Sequence, residues 1–279
     1  MGAVLDRISS SARGMVWLAY DDYAAALLAK GVVPWLDVGA YLSWQRQAQG
    51  LLKSDVVTLA LAPACAAWLD AHASLRAAMA AKSRTVYALK TLLADDELRG
   101  HLVELAAALR ASQASTPLVL SLPSPRHWPA LAYAQAHAGA TVEVDTDDAD
   151  SAAMYIADFL RAFSALGIDG ILIEEARDFR PGSAQDLDCY QAVLNVAQNY
   201  RWDIGLHLPA GGDGDLAQSG FAFAIAPQAS SVPTGLIVPA EFWSAQALPA
   251  DSTAAFRYAE IPAQTQPERV LDRLTALRQ

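Results

Sequence analysis

The amino-acid sequence predicts an α/β protein built as a single (β/α)8 barrel of the TIM type. Short apolar runs end abruptly in prolines or ionisable residues, as strands do when both faces of a parallel sheet are buried. These runs alternate with helical segments along the whole chain, and neither a linker nor a repeat divides it. One barrel domain over residues 1–279 is therefore the simplest arrangement.

The composition fits a globular protein with a large core. Of the 279 residues, 53% are hydrophobic and 18% are charged. No apolar run approaches the ~20 residues that a membrane-spanning helix needs, so we expect a soluble protein without a membrane partner. The first residues lack the basic and apolar regions of a secretory signal, which makes a cytoplasmic location the default expectation.

The net charge and the spacing of the cysteines exclude further classes of protein and of site. The chain carries 30 acidic and 20 basic residues, a formal net charge of -10. That field repels nucleic acids, and the sequence has no basic patch to override it, so we expect no nucleic-acid partner. Cys65 and Cys189 lie far apart and outside any Cys-x-x-Cys spacing, so we expect buried, reduced thiols.

The start of the chain predicts one helix and the first strand. Residues 1–14 have no clear period and predict a loose lead-in. Residues 21–30 predict a helix that Gly31 stops. The apolar run at 32–38 predicts the first strand, with Asp37 at its carboxyl end.

The middle of the chain predicts a second strand, a helical insertion and a third strand. The run at 55–61 predicts the second strand, and the Ala-rich region from about 64 to 112 predicts inserted helices that cover one end of the barrel. Residues 116–123 predict a strand that a Pro-rich turn ends. Residues 141–145 predict a short strand, and 148–166 an amphipathic helix.

The last third predicts the strands that carry the candidate site. The stretches at 167–176 and 202–210 predict neighbouring strands, joined by a helix over 184–200. Two more buried runs and a final helix with proline in its first turn follow, at 221–226, 235–238 and 267–278.

Ionisable residues at the ends of the two neighbouring strands mark the candidate active site. In barrels of this type the active site lies at the carboxyl ends of the strands. Glu174 and Glu175 end one strand and His207 ends the next. Because strand side chains alternate, only one of the two glutamates can face the mouth. We expect Glu174 and His207 to be catalytic. The glutamate that faces the mouth could act as a general base, bind an ammonium group or ligate a metal ion. The structural alternatives are a salt bridge from this glutamate to Arg177 or Arg180 and a packing role for the imidazole.

Other polar residues near strand ends are candidates for substrate binding. Arg126 and His127 follow a strand end and could hold a carboxylate or phosphate, or else cap the next helix. The expected substrate-binding residues are Asp37, Tyr41, Ser124, Arg126, His127, Glu175 and Glu241.

The sequence has no Walker loop, no Gly-x-Gly-x-x-Gly after a strand and no local metal-ligand spacing. The glycines at 211–214 predict loop flexibility rather than an anion site. Any metal site would have to be assembled from separate strands.

Four segments resemble the barrel superfamily that joins uroporphyrinogen decarboxylase and the C-terminal domain of cobalamin-independent methionine synthase. They are 118–128 (LVLSLPSPRHW), 170–176 (GILIEEA), 205–209 (GLHLP) and 235–241 (GLIVPAE). Their order agrees with the family over residues 32–242. The resemblance implies a TIM-like barrel and an activity of the methyltransferase (transferase) or decarboxylase (lyase) kind.

The chain departs from the family's pattern at the cofactor and substrate positions. Pro209 and Glu241 stand at or near the places of the zinc cysteines of the methyltransferases, so zinc is disfavoured although His207 matches a ligand. By similarity, Glu174 falls on the synthase's substrate-binding aspartate, and the resemblance implies that it takes a substrate amine or hydroxyl. The region that is arginine-rich in the decarboxylases has no arginine before Arg46.

Together these observations predict an enzyme that acts on a small organic substrate by one-carbon (methyl) transfer or by decarboxylation. One alternative is a barrel without catalysis that serves as a binding or complex-forming subunit, as a homodimer or with a partner protein. Another is a magnesium-dependent carbon-carbon lyase that uses Glu174 with Asp37 or Asp145.

Overall fold

A computed structural model describes residues 2–10, 14–182, 184–212, 214–244 and 254–279 of the chain. Eight parallel strands form one nearly closed barrel. The strands are β1 Met15–Ala19, β2 Val57–Ala60, β3 Leu118–Pro123, β4 Gly170–Glu174, β5 Asp203–His207, β6 Phe223–Ala226, β7 Thr234–Ile237 and β8 Phe256–Glu260.

Helices alternate with the strands and surround them. They are α1 Ala3–Ser10, α2 Asp21–Leu28, α3 Val38–Leu52, α4 Leu61–Ala71, α5 Ala73–Met79, α6 Tyr87–Leu93, α7 Asp96–Ser112, α8 Trp128–Ala136, α9 Thr146–Leu160, α10 Gln191–Tyr200 and α11 Pro267–Leu277. Short 3-10 helices span Arg161–Phe163, Ala184–Tyr190 and Ala240–Ser244. The prediction of a single TIM-like barrel with inserted helices after the second strand is confirmed.

The sheet runs in the order β1-β8-β7-β6-β5-β4-β3-β2, so its two edges, β1 and β2, meet at a seam. Polar groups just before β2 bond to the backbone of β1 there. The Asp55 carboxylate accepts from the Val16 amide at 2.9 Å, and the Ser54 hydroxyl accepts from the Leu18 amide at 3.0 Å. These side chains satisfy strand amides that would otherwise lack partners at the seam.

The predicted first strand at 32–38 is wrong. These residues form a connection and no strand: Val32 is 71% exposed, Trp35 is buried and Asp37 caps α3. Pro34 has no amide hydrogen to give to a sheet, which weakens any strand at this place. The true first strand is β1, whose four leading residues are all buried.

Three further differences concern the chain before β1, the run after α8 and the last strand. Residues 3–10, expected to be loose, form α1, and its Val4 and Ile8 pack into the bottom of the barrel. The run at 141–145 forms no strand and leads into α9. The strand β8 was not predicted, because Arg257 and Glu260 interrupt its apolar pattern; Arg257 points outward and donates to the Leu277 carbonyl at 2.7 Å.

Because successive side chains of a strand point to opposite faces, the buried side chains form two cores, one between strands and helices and one inside the barrel. Ile171 and Ile173 of β4 face the helices, whereas Leu172 belongs to the interior of the barrel. Aromatic rings fill that interior around Trp17, whose ring centroid lies 5.8 Å from Phe223, 6.2 Å from Phe256 and 6.3 Å from Tyr258. The Trp17 indole donates to the Thr58 hydroxyl at 2.9 Å, which satisfies its only polar group.

Two glycines make room for this aromatic interior. A Cβ atom at Gly205 on β5 would overlap the ring of Phe223, and one at Gly235 on β7 would overlap the ring of Phe256. Each glycine pairs in register with the phenylalanine of the adjacent strand. Each of these two rings therefore lies against a glycine of the neighbouring strand, where no side chain takes up the space. Among the described helices, none has the length and apolar character that crossing a membrane requires.

We predict that Gly205→Ala lowers the free energy of unfolding by about 1–3 kcal/mol, because the added methyl group overpacks the interior. Gly50→Ala is the matched control: Gly50 lies in α3 with nothing within 4 Å of an added Cβ, so alanine should raise stability by about 0.5–1 kcal/mol. Urea unfolding of both variants measures the contrast. Equal effects at the two positions would contradict the packing described here.

Candidate active site

Glu174 and His207 lie side by side at the mouth of the barrel. They are the last residues of β4 and β5 and pair with each other in the parallel register. Glu174 shares the inward face of β4 with Leu172, and His207 shares that of β5 with Gly205. Both side chains keep part of their surface accessible while dense protein surrounds them. The structure thus brings the two expected catalytic residues to the same rim.

Desolvation changes the acidity of Glu174. Burial raises the pKa of its carboxyl from 4.5 to about 7; a hydrogen bond from Ser121 on β3 opposes this rise, and the charge of Glu260 adds to it. A carboxyl with this pKa is present in both protonation states near neutral pH. It can therefore accept a proton from a substrate and return it.

The neighbouring imidazole shifts in the opposite direction. Burial, with a smaller contribution from the positive charge of Arg177, lowers the pKa of His207 to about 4. Its ring lies 5.1 Å from the Tyr258 ring, centroid to centroid. At neutral pH His207 is therefore an uncharged imidazole, with one ring nitrogen that donates and one that accepts.

Three residues that the sequence did not single out complete the mouth: Asp21, Tyr258 and Glu260. Asp21 begins α2 just after β1, and burial, then Asp22, then Glu174 raise its pKa to about 7. Burial and the charges of Glu174, Glu260 and Asp21 raise the pKa of Tyr258. We call Asp21, Glu174, His207, Tyr258 and Glu260 the mouth cluster. The apolar pattern places the first strand at 32–38 and gives no strand at 256–260, so it carries no signal for these three residues.

Glu175 faces away from the mouth into the layer between strands and helices. Its side chain is 5% exposed and accepts hydrogen bonds from the Ser124 hydroxyl at 2.9 Å and from the Tyr190 hydroxyl. Burial raises its pKa to about 7, although Ser124 and Arg126 favour the charged form. Its backbone amide donates to the His207 carbonyl at 3.0 Å. Glu175 thus fixes the ends of β4 and β5 from behind.

Arg126 belongs to this second cluster and not to the mouth. Its guanidinium donates to the Asp186 carbonyl at 2.6 and 3.1 Å and lies 5.2 Å from the ring centroid of Phe179. It also stabilises the thiolate of Cys189, but burial is the larger effect and raises the pKa of that thiol to about 11. Arg126 therefore holds the segment after β4 in place.

The remaining expected binding residues lie in separate places. His127 is half-buried, and burial lowers its pKa against the charge of Asp178. Asp37 is exposed and caps α3 by accepting from the Ala40 amide at 2.9 Å. Tyr41 is fully buried, and Glu241 is exposed on the 3-10 helix after β7. Their roles in substrate binding stay predictions.

The described part of the chain has no cluster of metal-binding side chains. Within it, no group of three His, Cys, Asp or Glu side chains could hold a metal ion. The magnesium alternative paired Glu174 with Asp37 or Asp145, and each of these aspartates caps a helix instead, Asp145 by accepting from the Asp148 amide at 2.8 Å.

Comparison with known proteins adds no assignment: no protein-family model matches the chain, and no curated protein does. The resemblance to the decarboxylase and methionine synthase barrels therefore stays a prediction from four short segments.

We predict that Glu175→Gln changes how stability depends on pH. The folded state holds the Glu175 proton more tightly than the unfolded state, so the wild type loses stability as pH rises from about 4.5 to about 7. Glutamine cannot ionise, so the stability of the variant should improve relative to wild type over this range by roughly 2–3 kcal/mol. Urea unfolding at intervals of pH measures the difference; parallel curves for the two proteins would show that the buried carboxyl does not titrate as described.

Proposed function

We propose that the protein is an enzyme that binds a small organic substrate at the barrel mouth and uses Glu174 as its general acid and base. The observation that carries this proposal is a carboxyl with a pKa of about 7 at the end of β4, next to an uncharged imidazole at the end of β5. Perturbed acids and bases at the carboxyl ends of barrel strands are typical of active sites.

Each residue of this pair has a distinct role. Glu174 receives a hydrogen bond from Ser121 and exchanges a proton with the substrate. The neutral imidazole of His207 donates or accepts a hydrogen bond and so orients the substrate beside that carboxyl. Because the aromatic interior closes the barrel below, the substrate must approach from the open end.

Both reaction types expected from the sequence need such a proton transfer. In methyl transfer, Glu174 removes the proton of the attacking nucleophile, the nucleophile bonds to the methyl carbon of a donor molecule, and the departing group of that donor keeps the electron pair of the broken bond. In decarboxylation, the bond between the substrate carbon and its carboxylate breaks, CO2 leaves, and the electron pair of that bond stays on the carbon, which then takes the proton of Glu174. The carboxylates at the mouth disfavour a multiply anionic substrate in either case.

A second candidate function is a binding or complex-forming subunit, in a homodimer or with another protein. It is favoured by four exposed apolar side chains on α2 and the connection after it, which are Leu27, Leu28, Val32 and Leu36. Grouped apolar side chains at a surface often mark a protein contact.

We predict that Glu174→Gln lowers kcat by about 10²–10⁴-fold, because an amide cannot exchange a proton as the carboxyl does. The assay screens small amines, alcohols and carboxylic acids for turnover. In the wild type, kcat/KM should change through an ionisation near pH 7 that the variant lacks. His207→Gln should raise KM more than it lowers kcat, because its role is orientation.

Glu104→Gln makes the same chemical change on the exposed side of α7 and serves as the matched control, with unchanged kcat expected. Turnover in Glu174→Gln equal to that of wild type would remove Glu174 from the reaction. A protein that turns over no member of the screen, yet forms a dimer that Val32→Asp dissociates, would support the second candidate.

A further inference from the structure

The peptide group that joins Glu174 to Glu175 is held at both of its ends. Its oxygen, the Glu174 carbonyl, accepts from the Ser124 amide at 2.9 Å on the side of β3. Its N–H, the Glu175 amide, donates to the His207 carbonyl at 3.0 Å on the side of β5. This peptide group therefore fixes the backbone from which the Glu174 side chain starts and ties it to the backbone of His207.

The Glu175 side chain reinforces this arrangement with two further bonds. One carboxylate oxygen accepts from the Ser124 hydroxyl at 2.9 Å, and the other accepts from the Tyr190 hydroxyl. Ser124 thus bonds to Glu174 through its amide and to Glu175 through its hydroxyl, which closes a ring of hydrogen bonds over the ends of β3 and β4. Tyr190 ends the 3-10 helix Ala184–Tyr190, so the same carboxyl also holds the segment between β4 and α10.

The partners of Glu175 are themselves fixed. Ser124 and Tyr190 are fully buried. The Ser124 hydroxyl also accepts from the His127 amide at 3.2 Å, and the Tyr190 ring meets the Phe221 ring edge-on, with centroids 5.7 Å apart. Displacing the Glu175 carboxyl would leave two buried hydroxyl groups short of a partner, which costs free energy. Because this network lies on the helix side of the sheet, it holds the strand ends without touching a substrate at the mouth.

The network needs a carboxyl group at position 175. Burial raises the pKa of Glu175, while the Ser124 hydrogen bond and the positive charge of Arg126 lower it. An ionised carboxylate accepts from both hydroxyl groups at once. The amide of a glutamine has one accepting oxygen, so it can receive only one of the two bonds.

We propose that Glu175 is a positioning residue that acts through Glu174 and His207. Its bonds to the two buried hydroxyl groups hold the ends of β4 and β5, so that the carboxyl and the imidazole at the mouth keep the orientation that proton transfer needs. This rests on the proposed function, since it adds a residue to the reaction of that site. A displacement of about 1 Å at a reacting group can cost roughly 100-fold in rate, so a network that touches no substrate can still set kcat.

Kinetics of single-hydroxyl variants test the inference. Ser124→Ala and Tyr190→Phe each remove one donor to Glu175 and should lower kcat about tenfold, with KM changed less than about twofold, because no substrate contact is lost. Tyr155→Phe is the matched control with unchanged kcat expected: Tyr155 lies on α9, its ring centroid 5.4 Å from the Lys90 ammonium. Circular dichroism checks that each variant is folded.

A double variant separates positioning from direct participation. Glu175→Gln should lower kcat about tenfold, yet the ionisation near pH 7 in kcat/KM should persist, because it belongs to Glu174. The double variant of Glu174→Gln and Glu175→Gln should fall less than about threefold below Glu174→Gln alone, since the carboxyl to be positioned is gone. Full multiplication of the two effects, or loss of the ionisation in Glu175→Gln, would show that Glu175 acts directly and would overturn the proposal.

The imidazole of His207 gives a readout that needs no substrate. The pKa of this group, about 4 in the wild type, can be measured from its NMR titration, with His207→Gln identifying the signal. Ser124→Ala and Tyr190→Phe should raise this pKa by at least about half a unit, because looser strand ends admit water to the ring. Tyr155→Phe should leave the titration midpoint where it is in the wild type.

The outcomes distinguish the proposal from the function on which it rests. A His207 midpoint that is the same in the wild type and in both hydroxyl variants would overturn the proposal, whether or not a substrate has been found. If Glu174→Gln abolishes turnover while Glu175→Gln keeps the kcat of wild type, only the positioning role is wrong. If Glu174→Gln leaves turnover intact while the His207 midpoint shifts as expected, the assignment of the acid and base is wrong instead, and Glu175 still positions the strand ends.

Discussion

The packing of aromatic rings around Trp17 is the constraint on which the mouth of this barrel depends. Trp17, Phe223, Phe256 and Tyr258 fill the interior, and the register places glycines where the rings need space. This floor leaves little room for water beneath the strand ends. Polar groups directly above it are desolvated on one side, which raises the pKa of Glu174 and lowers that of His207 for the same physical reason. The chemistry of the mouth thus follows from the packing below it.

Glu174 at the end of β4 and Glu175 just after it point to opposite faces of the sheet, and their roles differ accordingly. Burial raises the pKa of Glu174 and of Glu175 to about 7, yet their surroundings differ. Glu175 has hydrogen-bond partners for both oxygens in Ser124 and Tyr190 and is closed off from solvent. Glu174 keeps access to the opening. The raised pKa is the same for the two carboxyls, so it does not distinguish their roles; the face of the sheet on which each side chain lies does.

The sequence predicted best where both faces of a strand are apolar. The strands β4 and β5 are unbroken apolar runs in the sequence that end in Glu174 and His207. The carboxyl ends of parallel barrel strands share one rim, so the sequence also predicts that these two residues lie close together. The sequence pattern gives no strand at β8, because Arg257 interrupts its apolar run; this side chain points outward and donates to the Leu277 carbonyl at the end of α11. Residues 32–38 were chosen over β1, since apolar content alone does not show that Val32 stays exposed.

Arg126 illustrates what the sequence could not predict. Its position after a strand end suggested a clamp for an anion, but the distant segment Ala184–Tyr190 supplies the carbonyl that holds it. Only the path of the chain between β4 and α10 decides whether this guanidinium meets a substrate or its own backbone. Tertiary contacts of this kind carry no local signal.

The mouth cluster carries a cost in stability that bears on its role. Raised pKa values of Asp21 and Glu174 mean that the folded state loses stability as pH rises from about 4 to about 7, because the unfolded chain releases those protons more readily. His207 acts in the opposite direction between about pH 4 and its usual pKa of 6.5, since its folded form resists protonation there. Uncharged side chains of similar size would remove both penalties and keep the barrel packed. Ionisable groups that destabilise a fold at neutral pH, gathered at its open end, are the kind of local conflict expected where a protein binds or transforms a ligand.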